Sequence, residues 1–174
     1  VLPAGGADDP IDVVVDLDGV RLVALDTTIP GSHEGRLTEA QLTWLDARLA
    51  EAPDVPTIVA QHHPPVASGV RSMDDACGFA DGGAEADVLR RHSHVEAVLS
   101  GHLHRAFHRR CAGTISTTAP STACQLELRL NGGDTTYSSE PTGFLLHDWR
   151  PGVGLVTHVV PTGSFDTWSP PWAG

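Results

Sequence analysis

The sequence predicts an α/β domain that closes in antiparallel strands. Three observations carry this expectation. The apolar runs Thr57-Ile58-Val59-Ala60 and Val95-Glu96-Ala97-Val98-Leu99-Ser100 are strand-sized, and each ends in a histidine cluster. A helix signal over Thr38-Glu39-Ala40-Gln41, with Leu42, Leu45 and Leu49 behind it, lies between strand signals. From Phe107 onward, short alternating segments are broken by turn residues, the texture of an antiparallel meander.

The elements follow in order. Ile11, Val13, Val15 and Leu17 alternate with Asp12 and Asp16, as on a half-buried strand. Asp18-Gly19 supplies a tight hairpin turn, with Gly19 free to take positive φ. Val20 to Leu25 returns as the partner strand and ends in Asp26-Thr27; Pro30 to Gly35 is a loop. The Thr38 hydroxyl and Gln41 amide form a capping box that satisfies orphan N–H groups, and Pro53 stops the helix. Ala67 to Gly83, rich in Gly, Ser and Asp, reads as a long loop, with a short helix near Ala84 to Arg91. Leu126, Leu128 and Leu130 alternate with Gln125, Glu127 and Arg129. Phe144 to Trp149 and Leu155 to Val160 flank the turn Pro151-Gly152-Val153-Gly154.

Composition excludes several classes. The chain has 174 residues, 40% of them hydrophobic, enough for a single domain with a real core and not a disordered chain. Eleven basic against twenty-two acidic residues give a net charge of -11, a field that repels duplex nucleic acid. The longest apolar runs are strand-sized, so no membrane span is expected. Three cysteines (Cys77, Cys111, Cys124) lack CxxC spacing and read as free or buried thiols of a reducing, cytoplasmic compartment. Val1-Leu2-Pro3-Ala4-Gly5-Gly6 reads as an internal start, so residues 1–174 are expected to be one incomplete domain. Phe165 to Trp172 is expected to pack on the protein's own surface.

The histidine clusters carry the chemistry. In open α/β sheets, sites collect at the carboxyl ends of strands, and imidazole is the commonest protein ligand for transition metals. Gln61-His62-His63-Pro64-Pro65 stiffens directly after its histidines, which suits a preorganised ligand. In Gly101-His102-Leu103-His104 the two imidazoles share a face of an extended segment. His62, His102 and His104 are the candidate ligands, with His63 in a supporting role behind them. His33, His92, His94 and His108 read as surface or loop positions, and His147 and His158 as satisfied sheet histidines. Asp26 reads as structural, and Asp74-Asp75 as solvated.

These residues resemble a family. His62-His63-Pro64-Pro65 with Gly101-His102-Leu103-His104 is similar to the last two motifs of the calcineurin-like metallophosphoesterases. Gly19 to Thr27, Gly35-Arg36-Leu37 before Gln41 to Leu45, Thr118 to Ala123 and Glu140 to Phe144 resemble its bacterial class III cyclic-nucleotide phosphodiesterase branch. The resemblance runs from about Ile11 to Val160. It implies the C-terminal part of a four-layer α/β/β/α sandwich ending in an antiparallel meander. It also implies a two-metal centre of Fe, Mn or Zn, whose bridging hydroxide attacks phosphorus in line. His62 and His102 would bind one metal and His104 the other. The substrate implied is a small phosphoester, foremost a 3′,5′-cyclic nucleotide.

The departures matter equally. The family's Asp-x-His, Gly-Asp-x-x-Asp and Gly-Asn-His motifs have no counterpart here, and with them go the bridging aspartate, an asparagine ligand and a histidine assisting departure of the leaving group. Turnover is therefore expected of a longer parent and not of this fragment alone. Two other readings stay open: a hydrolase of another small phosphodiester or phosphomonoester, and a non-catalytic metal-binding or interaction remnant.

Overall fold

A computed structural model describes residues 9–172. The opening residues Val1 to Gly6 lie outside the described part. The core is one six-stranded sheet in the order β1-β2-β3-β4-β6-β5. Its strands are β1 (Val13–Leu17), β2 (Val20–Leu25), β3 (Thr57–Gln61), β4 (Val95–Ser100), β5 (Phe107–Cys111) and β6 (Thr114–Thr118). β2, β3, β4 and β6 run parallel, while β1 and β5 close the two edges antiparallel. The β1–β2 turn is as expected, with Gly19 at φ 77°.

Helix α1 (Glu39–Ala50) starts at the capping box: Thr38 Oγ1 accepts from Gln41 N, and Gln41 Oε1 accepts from Thr38 N. Leu45 and Leu49 are fully buried against Val23, Val59 and Val98, so the leucine face read in the sequence packs on the sheet. Burying such a side chain contributes about 1.5–3 kcal/mol. Gln41 also reaches back to the Asp26 carbonyl and the Asp12 carboxylate, tying the helix to the end of β2.

Ala67 to Gly83 is not one loop. It contains α2 (Arg71–Ala76), and α3 (Gly82–Leu89) begins and ends earlier than expected. α2 has no hydrophobic period long enough to read; Met73 and Val70 instead pack on Leu103 and Leu126 in a second small core. Asp74 is not solvated: its carboxylate accepts from Ser68 N, Ser68 Oγ and Gly69 N, closing the turn before α2.

The antiparallel end of the chain divides into two pairs, β7 (Gln125–Leu126) with β8 (Tyr137–Ser138) and β9 (Gly143–Arg150) with β10 (Gly154–Pro161). The Leu126-Leu128-Leu130 alternation therefore ends as strand at Leu126, and Leu128 and Leu130 are exposed. Phe165, Trp168 and Trp172 do not pack on the surface either: Trp168 and Trp172 are each 84% exposed. Pro170 and Pro171 hold this segment out of regular structure. The sheet face opposite the helices is apolar but incompletely covered, with Val15, Leu17 and Ile115 exposed, although parallel strands are normally buried on both faces.

Candidate metal centre

β3 and β4 are neighbouring parallel strands, with Ala60 beside Leu99, so the residues after each emerge side by side. His62 and His102 stand there, and Gly101 N donates to the His62 carbonyl at 3.1 Å. His62 Nε2 and His102 Nδ1 face each other at 3.2 Å. Two nitrogens bound at 2.0–2.1 Å to one ion, at right or tetrahedral angles, stand about 2.8–3.4 Å apart. His102 Nε2 meets the Cys77 carbonyl at 2.8 Å, which makes it the N–H and leaves Nδ1 with its lone pair. That is the arrangement that orients a ligating imidazole. The donor set here fits part of one ion's shell.

Gly101-His102-Leu103-His104 is a strained turn and not the extended segment expected, so His102 and His104 do not share one face. His102 and His104 both take positive φ, 68° and 50°, which costs a non-glycine residue about 1 kcal/mol or more. Leu103, between them, is buried in the second core, and Leu126 N donates to the His104 carbonyl, so the surroundings hold the strained turn.

His63 joins the same cluster, its ring centroid 4.8 Å from that of His62 and 4.4 Å from that of His102. Both its nitrogens are engaged: Nδ1 with Thr27 Oγ1 at 2.8 Å and Nε2 with the His33 carbonyl at 3.2 Å. An Nε2–H donated to His33 leaves Nδ1 to accept from the Thr27 hydroxyl, so the ring is neutral and fixed. Gly35 lies flat against this ring, where a Cβ would overlap it. His104 lies outside the trio, its Nδ1 3.6 Å from Cys124 Sγ and its ring 5.6 Å from Tyr137. Among the described residues no carboxylate joins the cluster.

Electrostatics favour the neutral form of these imidazoles, the form that ligation requires. Burial lowers His62 first, helped by repulsion from His104. Burial also dominates at His102, where the Cys77 carbonyl pulls the other way. His63 is pushed down to about 4 by burial and by its two imidazole neighbours. Behind the turn, Glu85 is fully buried on α3, and burial raises its carboxyl to about 7. These two groups oppose each other in pH. A lowered His63 loses stability as pH falls from about 6.5 towards 4. A raised Glu85 loses it as pH rises from about 4.5 through 7. From about pH 4.5 to 6.5 the two slopes offset, so the unfolding temperature is expected to stay level there and to decline only as pH rises from about 6.5 through 7. Glu85→Gln should abolish the alkaline decline, and an unchanged decline in that variant would refute the assignment.

Of the remaining histidines His33 and His108 are exposed as expected, whereas His92 and His94 are half-buried, with His94 Nε2 enclosed and without a partner among the described residues. His92 pairs with Asp46, His108 with Thr117 and His147 with Thr157, and His158 is exposed. Asp26 is structural, accepting from Thr28 and from Ile11 N. Cys77, Cys111 and Cys124 are free thiols. Sequence reading quoted Thr27, Gly35 and Gln61 within its motifs without assigning them a role, and missed the Cys77 carbonyl and Glu85. Neither of those two left a signal.

A parallel sheet whose strand ends gather imidazoles defines an α/β protein with a histidine-lined crevice that could hold a metal ion. Residues 2–106 match the calcineurin-like phosphoesterase family, and the chain belongs to it. It is 37% identical over 169 residues to a probable cyclic nucleotide phosphodiesterase of Rhodococcus erythropolis, covering 96% of this chain and 54% of that protein. It is 32% identical over 157 residues to a probable glycerophosphodiester phosphodiesterase of Arcobacter nitrofigilis, covering 90% of this chain and 58% of that protein. The fold resembles a dimetal phosphatase from Danio rerio with a TM-score of 0.58 at 18% identity, over 88% of this chain and 61% of that one. The chain spans about half the length of the curated relatives it matches. No described helix is long and apolar enough to cross a membrane.

Proposed function

We propose that this chain is the histidine-rich part of a metal-dependent phosphodiesterase acting on 3′,5′-cyclic nucleotides. The observation that carries the reading is the convergence of His62 Nε2 and His102 Nδ1, 3.2 Å apart with His102 oriented by the Cys77 carbonyl, in a member of this family. The name of the Rhodococcus relative supports the substrate class. A metal pair would supply Lewis acidity and an activated water for in-line displacement. Within that centre His62 and His102 would hold one ion and His104, whose Nδ1 meets Cys124 Sγ, the other through its free Nε2. His63 binds neither ion; it is fixed by Thr27 and His33 and packs against the rings of both ligands. Iron, manganese or zinc suits this donor set. Carboxylate ligands come from elsewhere in a longer polypeptide, of which residues 1–174 form part of one domain. The free thiols favour a cytoplasmic setting.

A cleft of about 110 Å³ opens beside His102, lined by Pro65, Met73, Asp74, Phe79 and Leu103. Whole-ligand pockets span about 300–1,000 Å³, so this cleft takes one part of a nucleotide and the rest extends past it. Phe79 is the aromatic candidate there, and α2 the element that shapes specificity.

The test is a substrate panel. Full-length parent with Mn²⁺ is expected to hydrolyse 3′,5′-cAMP with a higher kcat/KM than 2′,3′-cAMP, glycerophosphodiesters or p-nitrophenyl phosphate. Residues 1–174 alone are expected to turn over none of them. A preference for glycerophosphodiesters, the activity in the name of the Arcobacter relative, would overturn the substrate and keep the hydrolase. Chelator-sensitive turnover of bis(p-nitrophenyl) phosphate by residues 1–174 would overturn the division of the centre.

A further inference from the structure

The turn after β3 has an unusual backbone problem. Pro64 and Pro65 follow His63 directly and carry no N–H, so the His63 carbonyl cannot be closed by the amides that would normally serve a turn. A side chain does it instead: Gln61 Nε2 donates to the His63 carbonyl at 2.8 Å. The second N–H of the same amide donates to Glu85 Oε2 at 3.1 Å. Glu85 is 0% exposed, and Gln61 is buried beside it. Glu85 Oε1 has no partner among the described residues, and neither has Gln61 Oε1.

Burying a carboxyl with one oxygen unsatisfied is a poor device for stability, since each such atom costs about 1–3 kcal/mol. It is, however, a specific way to orient an amide. The two ends of a glutamine amide are nearly the same shape, and the flipped form would aim Oε1 at the His63 carbonyl oxygen. An acceptor at Glu85 excludes that form, because only the NH2 end can serve both oxygens. A carboxyl in either protonation state accepts through Oε2, so the constraint does not depend on charge.

We propose that Glu85 is a positioning residue for the metal-binding turn. Through Gln61 it locks the His63 carbonyl, and with it the direction in which His62, one residue earlier, presents Nε2 to His102. The His62 carbonyl is held from the other side by Gly101 N, so the turn is clamped at two successive carbonyls. This rests on the reading of His62 as a metal ligand given above.

The test separates metal affinity from stability in residues 1–174. Zn²⁺ binding is measured by calorimetric titration, and folding by thermal unfolding above pH 7, for the wild-type chain and for His62→Ala, Glu85→Leu, Glu85→Gln and Gln61→Met. Glu85→Leu is expected to weaken Zn²⁺ binding about 10-fold, the low end for partners that orient ligands, with an unfolding temperature equal to or above wild type. Glu85→Gln, which still offers Gln61 an acceptor, is expected to restore wild-type affinity. Should Glu85→Leu fail to fold, Gln61→Met decides: weakened binding sustains the role and wild-type binding overturns it. Wild-type affinity in Glu85→Leu overturns the positioning role while a loss in His62→Ala leaves the centre standing. Zinc binding that is absent from the wild type or indifferent to His62→Ala overturns both.

Discussion

Replacing His102 by Ala in the full-length parent is expected to remove nearly all phosphodiesterase activity, while His94→Ala leaves it close to wild type. The contrast is informative because both residues flank β4, His94 before it and His102 after it. His102 brings Nδ1 to within 3.2 Å of His62 Nε2. His94 sits at the far end, where its carbonyl accepts from Thr57 N, a bond the substitution keeps. Losing a ligand forfeits several kcal/mol of transition-state stabilisation, roughly 100-fold or more in kcat. His104→Ala should resemble His102→Ala. Initial rates at saturating substrate and metal give the answer, and equal losses at His94 and His102 would refute the assignment of ligands.

The largest structural effect is expected at Gly35. A methyl group there would overlap Cγ and Nδ1 of His63 and lie 2.8 Å from its Cβ. The ring cannot retreat without breaking its bonds to Thr27 Oγ1 and the His33 carbonyl. Overpacking costs about 1–3 kcal/mol and a broken buried hydrogen bond about 1–3 more, so Gly35→Ala should destabilise by about 2–6 kcal/mol. At about 2–4 °C per kcal/mol for a chain of this size, the unfolding temperature should fall by roughly 4–24 °C. Gly83→Ala is the control: it lies in α3 with no heavy atom near its would-be Cβ. It should stabilise by about 0.5–1 kcal/mol. A neutral Gly35→Ala would show that His63 is not held as described.

The two effects share one cause. His63 is buried and neutral because the Gly35 backbone seals it on one face and imidazoles on another. Thr27, at the end of β2, supplies the hydroxyl that fixes it. The loop carrying Gly35 is itself pinned, since Gly35 N donates to the Gly78 carbonyl and Ala80 N to the Gly35 carbonyl. The segment that orients His102 through Cys77 therefore also holds the glycine that supports His63.

Local chemistry made much of this protein legible in the sequence. Alternation marked β1 and β2, the Thr38–Gln41 box marked the start of α1, and two histidine clusters after apolar runs marked the crevice, because each signal is written in neighbouring residues. α2 was illegible since six residues give no period, and its apolar residues answer to Leu103 and Leu126, far along the chain. The Trp168 and Trp172 rings project into solvent because no surface in the described fold receives them. Sequence alone determined the family motifs, the strand-end placement of His62, His102 and His104, and the three cysteines as free thiols. Tertiary structure alone decided which ring nitrogens meet, that His63 is locked by Thr27 and His33, and that a buried Glu85 stands behind the turn. Carbonyls such as those of Cys77 and His33 belong to every residue, so sequence carries no mark of them. Only the folded path of the chain determines which carbonyl arrives at an imidazole.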